Sequence, residues 1–283
     1  MKQLISDVLM ETLKILAIVF ILMVIIEYLE LRTRKKMSSW MIRGTWRQYA
    51  ISSFLGATPG CVGAFASVSF YVHGFMSLGA ITATMIATSG DEAFVMLAKF
   101  PEIALGLFAL LFILGIVTGF LTDVFAKKFG IKQCKKCVIE EHLDEYTKVR
   151  KHHFLREHVV EHIIKQHLPR LFLWVFFALL AIQLALAYTD LGAILSGLPV
   201  PVLIISAAII GIIPGSGPHL PFVFLFAEGL IPLSVLLTSS IAQDGHGLLP
   251  MLSYTVRDSL IVKIFNVIYA IAIGLLAAVL FGW

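Results

Sequence analysis

The sequence predicts an all-α integral membrane protein of two inverted-topology repeats, each with long spanning helices, a re-entrant hairpin and a broken helix. Three observations carry this: an apolar composition with clustered charge, a self-match between the two halves, and a Lys/Arg bias that orients matching helices oppositely. Of 283 residues, 59% are hydrophobic and 14% charged, and the mean hydropathy is +0.92. Soluble domains carry about 25% charged residues, so a soluble enzyme is excluded. Of the 22 Lys/Arg and 18 Asp/Glu, seven lie between Glu30 and Arg47 and 17 between Lys127 and Arg170. The basic charge is therefore concentrated in membrane-flanking loops, so no nucleic-acid partner is expected and membrane lipid is. Three cysteines, Cys61, Cys134 and Cys137, are too few for a disulfide framework. Asp7, Glu11 and Lys14 precede the first apolar run with no small-residue cleavage site after it, so the N-terminus does not read as a cleavable signal.

A spanning helix needs about 20 apolar residues, which places spans at 8–29, 103–126, 169–189 and 259–282. Between Glu30 and Arg47 six Lys/Arg face one acid, and 127–170 carries eleven Lys/Arg against six acids. Both loops are therefore expected in the cytoplasm. Helices 8–29 and 103–126 then run inward. Helix 169–189 runs outward, and Arg257 and Lys263 start the last helix inside. The chain divides into a first transmembrane repeat (1–126), a cytoplasmic His/Cys-containing linker (127–168) and a second, inverted repeat (169–283).

Each repeat must cross the membrane an odd number of times to invert. Tyr49 to His73 is too long for one helix and has Thr58-Pro59-Gly60 at its centre. It reads as a re-entrant hairpin with that tripeptide at the tip. Met76 to Ala98 reads as a helix broken at Ser89-Gly90-Asp91. Unwound backbone at membrane depth survives only where protein or a wet cavity satisfies it, so tips and breaks should meet at one central cavity.

The second repeat follows from sliding Gly56–Leu97 onto Gly211–Leu252, where eleven of 42 positions are identical without a gap. Gly56, Pro59, Gly60, Gly74, Ala87 and Gly90 meet Gly211, Pro214, Gly215, Gly229, Ala242 and Gly245. Shared apolar composition explains some identities, but not this coincident Gly and Pro punctuation. Combined with the opposite orientations, the match gives repeats inverted about an axis in the membrane plane. Many secondary transporters share that plan, with the substrate at midplane between broken helices.

Ionisable residues at membrane depth are costly and functional by default. Here they fall on the repeat motifs: Asp91 and Glu92 in the first, Asp244 and His246 after Gln243 in the second, and His219 after Gly215-Ser216. These five, Asp91, Glu92, Asp244, His246 and His219, suit a divalent cation such as Mn²⁺. Thr58, Cys61, Ser89 and Ser216 could add oxygen or sulfur ligands. The acids could instead carry protons. Glu228 and His73 share one repeat position at the hairpin ends and are expected near water. The linker holds Cys134 and Cys137 at zinc-like spacing, and His158 and His162 one helical turn apart. It could capture or sense metal, or form an amphipathic interfacial helix along Leu155, Val159, Ile163 and Ile164.

Taken together, Thr58-Pro59-Gly60-Cys61 with Ser89-Gly90-Asp91-Glu92, and Pro214-Gly215-Ser216-Gly217-Pro218-His219 with Gln243-Asp244-Gly245-His246-Gly247, resemble a ten-transmembrane heavy-metal exporter family. Its members are described as manganese transporters or arsenic-efflux-like permeases. The resemblance covers essentially the whole chain and implies metal or metalloid export. The expected protein is a non-enzyme, a multi-pass carrier of the inner (plasma) membrane. It has no cofactor, exports a divalent metal ion coupled to protons or sodium, and could form a homodimer. Arsenite or organoarsenical efflux, organic-anion carriage and membrane metal sensing are the alternatives. Two features count against the first two of these: a single motif cysteine, and no Lys or Arg in either motif.

Overall fold

Apolar runs of about 20 residues are long enough to cross a bilayer as helices, which satisfy their own backbone polar groups in lipid. The computed structural model describes residues 2–41, 45–60, 62–72, 74–131, 164–165, 168–245 and 247–281. Among these every regular element is helical. The first half holds α1 (Lys2–Met41), α2 (Thr45–Ala57), α3 (Val62–Val72), α4 (Leu78–Ala87), α5 (Glu92–Lys99) and α6 (Pro101–Lys128). The second holds α7 (Leu168–Tyr188), α8 (Leu191–Ser196), α9 (Val200–Ile210), a 3₁₀ turn at Gly217–His219, α10 (Leu220–Ala227), α11 (Leu233–Ala242), α12 (Leu248–Tyr254) and α13 (Val256–Phe281).

Leu4–Ile25, Pro101–Lys128 and Val256–Leu280 are long and apolar enough to cross a membrane. Leu171–Ala185 in α7 is apolar but shorter. The protein is thus an all-helical, multi-pass membrane protein. Leu105, Ile113, Ile264 and Val279 lie exposed along α6 and α13, the surface that lipid covers. One expectation changes. Positions 31–41, read from sequence as loop, continue α1 to Met41. That stretch has no Gly or Pro, and its Lys, Arg, Leu and Met are good helix formers.

Local chemistry sets the other ends. Pro101 opens α6, where a missing N–H costs nothing. Ser77 caps α4 by accepting the Ala80 N–H at 3.0 Å. Asp190 caps α8 through the Ala193 N–H at 2.9 Å.

The element boundaries of the two halves recur at one shift. Leu78–Ala87 and Leu233–Ala242 are the same ten positions moved by 155 residues, the separation of Thr88 from Gln243. At that shift α2 and α9 share a start, as do α6 and α13, and α3 covers the span of the 3₁₀ turn plus α10. Packing repeats as well. Helices α2, α4 and α6 pack together, as do α9, α11 and α13. Contacts between halves are reciprocal: α3 packs on α12, and α10 packs on α5. Helix α4 also meets α11 and α13.

Helix α4 is buried at every residue, and α11 from Ser234 to Ala242. Three of their threonine hydroxyls find partners inside the protein. Thr82 and Thr238 donate back to the carbonyls of Leu78 (2.8 Å) and Ser234 (2.7 Å). Thr84 reaches the Ser52 carbonyl and Ser67 Oγ, each at 3.0 Å, tying α4 to α2 and α3.

Candidate functional site

The site is built where α4 and α11 stop. Thr88 and Gln243 follow their last residues with extended backbone, ψ 134° and 151°. Each side chain then accepts the N–H of the glycine two residues on. Gly90 donates to Thr88 Oγ1 at 3.3 Å, and Gly245 donates to Gln243 Oε1 at 2.8 Å. Both glycines hold φ +53°, the left-handed region that disfavours a side chain. Gln243 is the longer of the pair, so its Nε2 also crosses to donate to the Thr88 carbonyl at 2.6 Å.

Space at the crossing is as restrictive as the dihedral. A Cβ on Gly90 would lie 3.0 Å from Gly245 Cα and 2.2 Å from Ser216 Oγ. The stretches after α2 and α9 reach the same point. Gly60 donates its N–H to the Gly90 carbonyl at 3.2 Å, and Asp91 donates its N–H to Ser216 Oγ at 3.2 Å. Gly60 and Gly215, with Pro59 and Pro214 just before them, have the same φ of +104°. Thr58 turns away from the crossing, donating to the Leu55 carbonyl at 2.6 Å. Ser89 is buried and its Oγ makes no hydrogen bond.

The carboxyls differ sharply in their partners. Asp91 is 5% exposed. Glu92 is 1% exposed, and neither of its carboxyl oxygens has a hydrogen-bond partner. Asp244, equally buried, accepts from Lys263 Nζ on one oxygen and from Asn266 Nδ2 on the other. Lys263 also donates to the carbonyls of Gly211 at 2.6 Å and Ala242 at 3.0 Å. His219 is wholly buried, its Nδ1 3.2 Å from Ser239 Oγ, and its ring lies within electrostatic reach of Lys263.

Lys263 is the residue that sequence reasoning misplaced, as a flank of the last helix. The readable signal was spacing: Ser259, Val262, Lys263 and Asn266 fall on one helical face, and all four are buried. Two further acids were also missed. Asp123 accepts from the Tyr49 hydroxyl at 2.6 Å and the Gly79 N–H at 2.7 Å, and Asp258 accepts from the Tyr71 hydroxyl at 2.7 Å.

Cys61 and His246, and the linker residues Cys134, Cys137, His158 and His162, lie outside the described residues. Among the described residues no three His, Cys, Asp or Glu form a metal-holding group.

Over residues 3–169 and 136–281, nearly the whole chain, the sequence matches a family described as "Putative, 10TM heavy-metal exporter". The chain belongs to this family. No curated protein and no solved structure matches it. Membership in a heavy-metal exporter family sets the question that the geometry can answer: which ligand chemistry the crossing offers. The described side chains at and next to the two breaks are rich in oxygen, with Ser89, Asp91 and Glu92 on one and Gln243 and Asp244 on the other. Such a set favours hard cations over soft ones.

Proposed function

We propose that the protein is a secondary-active exporter of a divalent metal cation, Mn²⁺ the leading candidate, carried through a midplane site between two inverted repeats. The observation that carries this reading is Glu92, a carboxyl 1% exposed with both oxygens unpartnered, directly after the helix break at Asp91. A buried carboxylate without a partner costs several kcal/mol, of order 3–5, and a bound cation is what offsets it. Asp91, Glu92 and Asp244, with His219 and His246, form the proposed metal pathway, and Ser89, Ser216 and backbone carbonyls at the breaks complete it. Oxygen donors with one or two imidazoles suit Mn²⁺ better than a thiophilic ion.

Inversion about an axis in the membrane plane is supported by the charge bias of the loops and the shared helix boundaries. In this arrangement α2–α3 and α9–α10 are re-entrant hairpins whose tips meet at midplane. Export is driven by exchange for protons or sodium in the plasma membrane. The 127–168 linker stands outside the pathway and tunes metal supply through Cys134, Cys137, His158 and His162.

The test is Mn²⁺ flux in proteoliposomes together with calorimetric Mn²⁺ binding, on the native sequence and on Asp91→Asn and Glu92→Gln. Each variant should fold, since the amide keeps the size of the acid, and each should lose binding and flux. Native flux and binding in both variants would remove the metal site from the first break.

A further inference from the structure

Asp244 already has a cation. The ammonium of Lys263 sits among three oxygens: one from the Asp244 carboxylate and the carbonyls of Gly211 and Ala242. Those carbonyls belong to the C-terminal ends of α9 and α11, where helix dipoles concentrate partial negative charge. Three N–H donors meet three acceptors, so the ammonium has no capacity left for another ligand. One carboxylate and two backbone carbonyls are also the donor set that hard metal cations take.

We propose that Lys263 is a tethered cation. In the substrate-free protein it occupies the place at Asp244 that the transported divalent cation takes, so that substrate entry and release of Lys263 from Asp244 are one event. This rests on the divalent-cation reading above.

Structural need alone does not account for the pair. Breaking a buried ion pair is costly, but replacing the whole pair with apolar groups is often neutral or stabilising. The protein's own other half does without the pair, with an uncharged residue at each position. At the 155-residue shift, Lys263 corresponds to Phe108 and Asp244 to Ser89, and α4 still packs on α6 as α11 packs on α13. The charged version is therefore not what the fold requires at this position. The means of release are also present: a flexible four-carbon stem on Lys263, and a carboxylate on the uncoiled stretch beside Gly245. Asn266 holds the other Asp244 oxygen, and His219 lies within electrostatic reach of Lys263.

The experiment titrates Mn²⁺ calorimetrically into the full-length protein, native, Lys263→Met and Lys263→Arg. Removing the competitor should tighten Mn²⁺ binding by about tenfold, within the usual range of coupling between two ligands. Mn²⁺ should also raise the melting temperature of Lys263→Met more than that of the native protein. Arginine grips a carboxylate with two parallel hydrogen bonds, so Lys263→Arg should weaken Mn²⁺ binding by about the same factor. A purely structural lysine would weaken binding in both variants or change neither, and either result overturns the proposal. If Lys263→Met does not fold, Lys263→Gln takes its place with the same expected tightening, and Mn²⁺ binding by Lys263→Arg equal to or tighter than native still overturns the proposal. A native protein that binds no Mn²⁺ overturns the divalent-cation reading and this inference with it. Native binding with unshifted variants overturns this inference only.

Discussion

Gln243 donates its side-chain amide to the backbone carbonyl of Thr88, the residue 155 positions earlier that holds the same place in the other half. Residues at matching positions of the two halves thus meet along one line. The neighbouring approach of Gly90 to Gly245, also equivalents, marks the same line. The best-matched part of the sequence therefore lies along the central seam.

Gln243→Leu should destabilise the seam. It leaves the Thr88 carbonyl and the Gly245 N–H buried without partners, at about 1–3 kcal/mol. Thermal melts of the detergent-solubilised protein read the loss. A melt unchanged from native would show that the crossing hydrogen bond does not hold the halves.

Gly90→Ala should be worse than Gly245→Ala, although both glycines share φ +53°. The difference is the neighbour: a Cβ on Gly90 meets Ser216 Oγ at 2.2 Å, whereas one on Gly245 comes no closer than 3.2 Å to its surroundings. Ser216→Ala in the Gly90→Ala background should recover part of the lost stability. Absence of any recovery would assign the whole cost to backbone strain, about 1 kcal/mol.

Asp244→Asn should cost more stability than Asp91→Asn. It strips the Lys263 ammonium, 6% exposed, of its only anionic partner in the described network, and an uncompensated buried charge costs about 3–5 kcal/mol. The double variant Asp244→Asn/Lys263→Met should recover most of that. Equal melting of the single and double variants would mean that the ion pair does not form in the folded protein.

Cysteines introduced beside Met1 and Trp283 should react only from the outside, and those at 31–48 and 128–168 only from the cytoplasm. Labelling of both termini from the cytoplasmic side alone would overturn the proposed orientation, and labelling of the two termini from opposite sides would end the proposed inversion.

Replacing Cys134, Cys137, His158 and His162 together should leave the maximal Mn²⁺ flux near native and change only its dependence on metal concentration. Abolished flux in a folded protein would put the linker in the pathway.

Helical class and membrane placement were legible because length and hydropathy decide them: three long apolar helices stand where apolar runs of about 20 residues stood. The crossing left a mark in sequence because left-handed backbone and close approach admit little but glycine, so Gly60, Gly90, Gly215 and Gly245 punctuate both halves alike. Long-range partnership left no such mark. Nothing local to Asp244 announces Lys263, which reaches it from a separate helix, and Tyr49 and Asp123 are likewise joined only by packing. Glu92 was visible as a charge at membrane depth. Its lack of hydrogen-bond partners is a property of its surroundings and could be found only in three dimensions.

In the carrier proposed above two inverted halves exchange roles between two access states, and identical halves would give those states equal energy and equal population. The exchange of Phe108 and Ser89 for Lys263 and Asp244 breaks that degeneracy. Whichever state keeps the ammonium on its carboxylate is lower, and a bias of about 1.4 kcal/mol already gives a tenfold preference. In the proposed carrier the resting empty protein therefore waits facing one side of the membrane, and the cargo resets the balance. The resting orientation of the proposed carrier would then be written as a difference between its two halves.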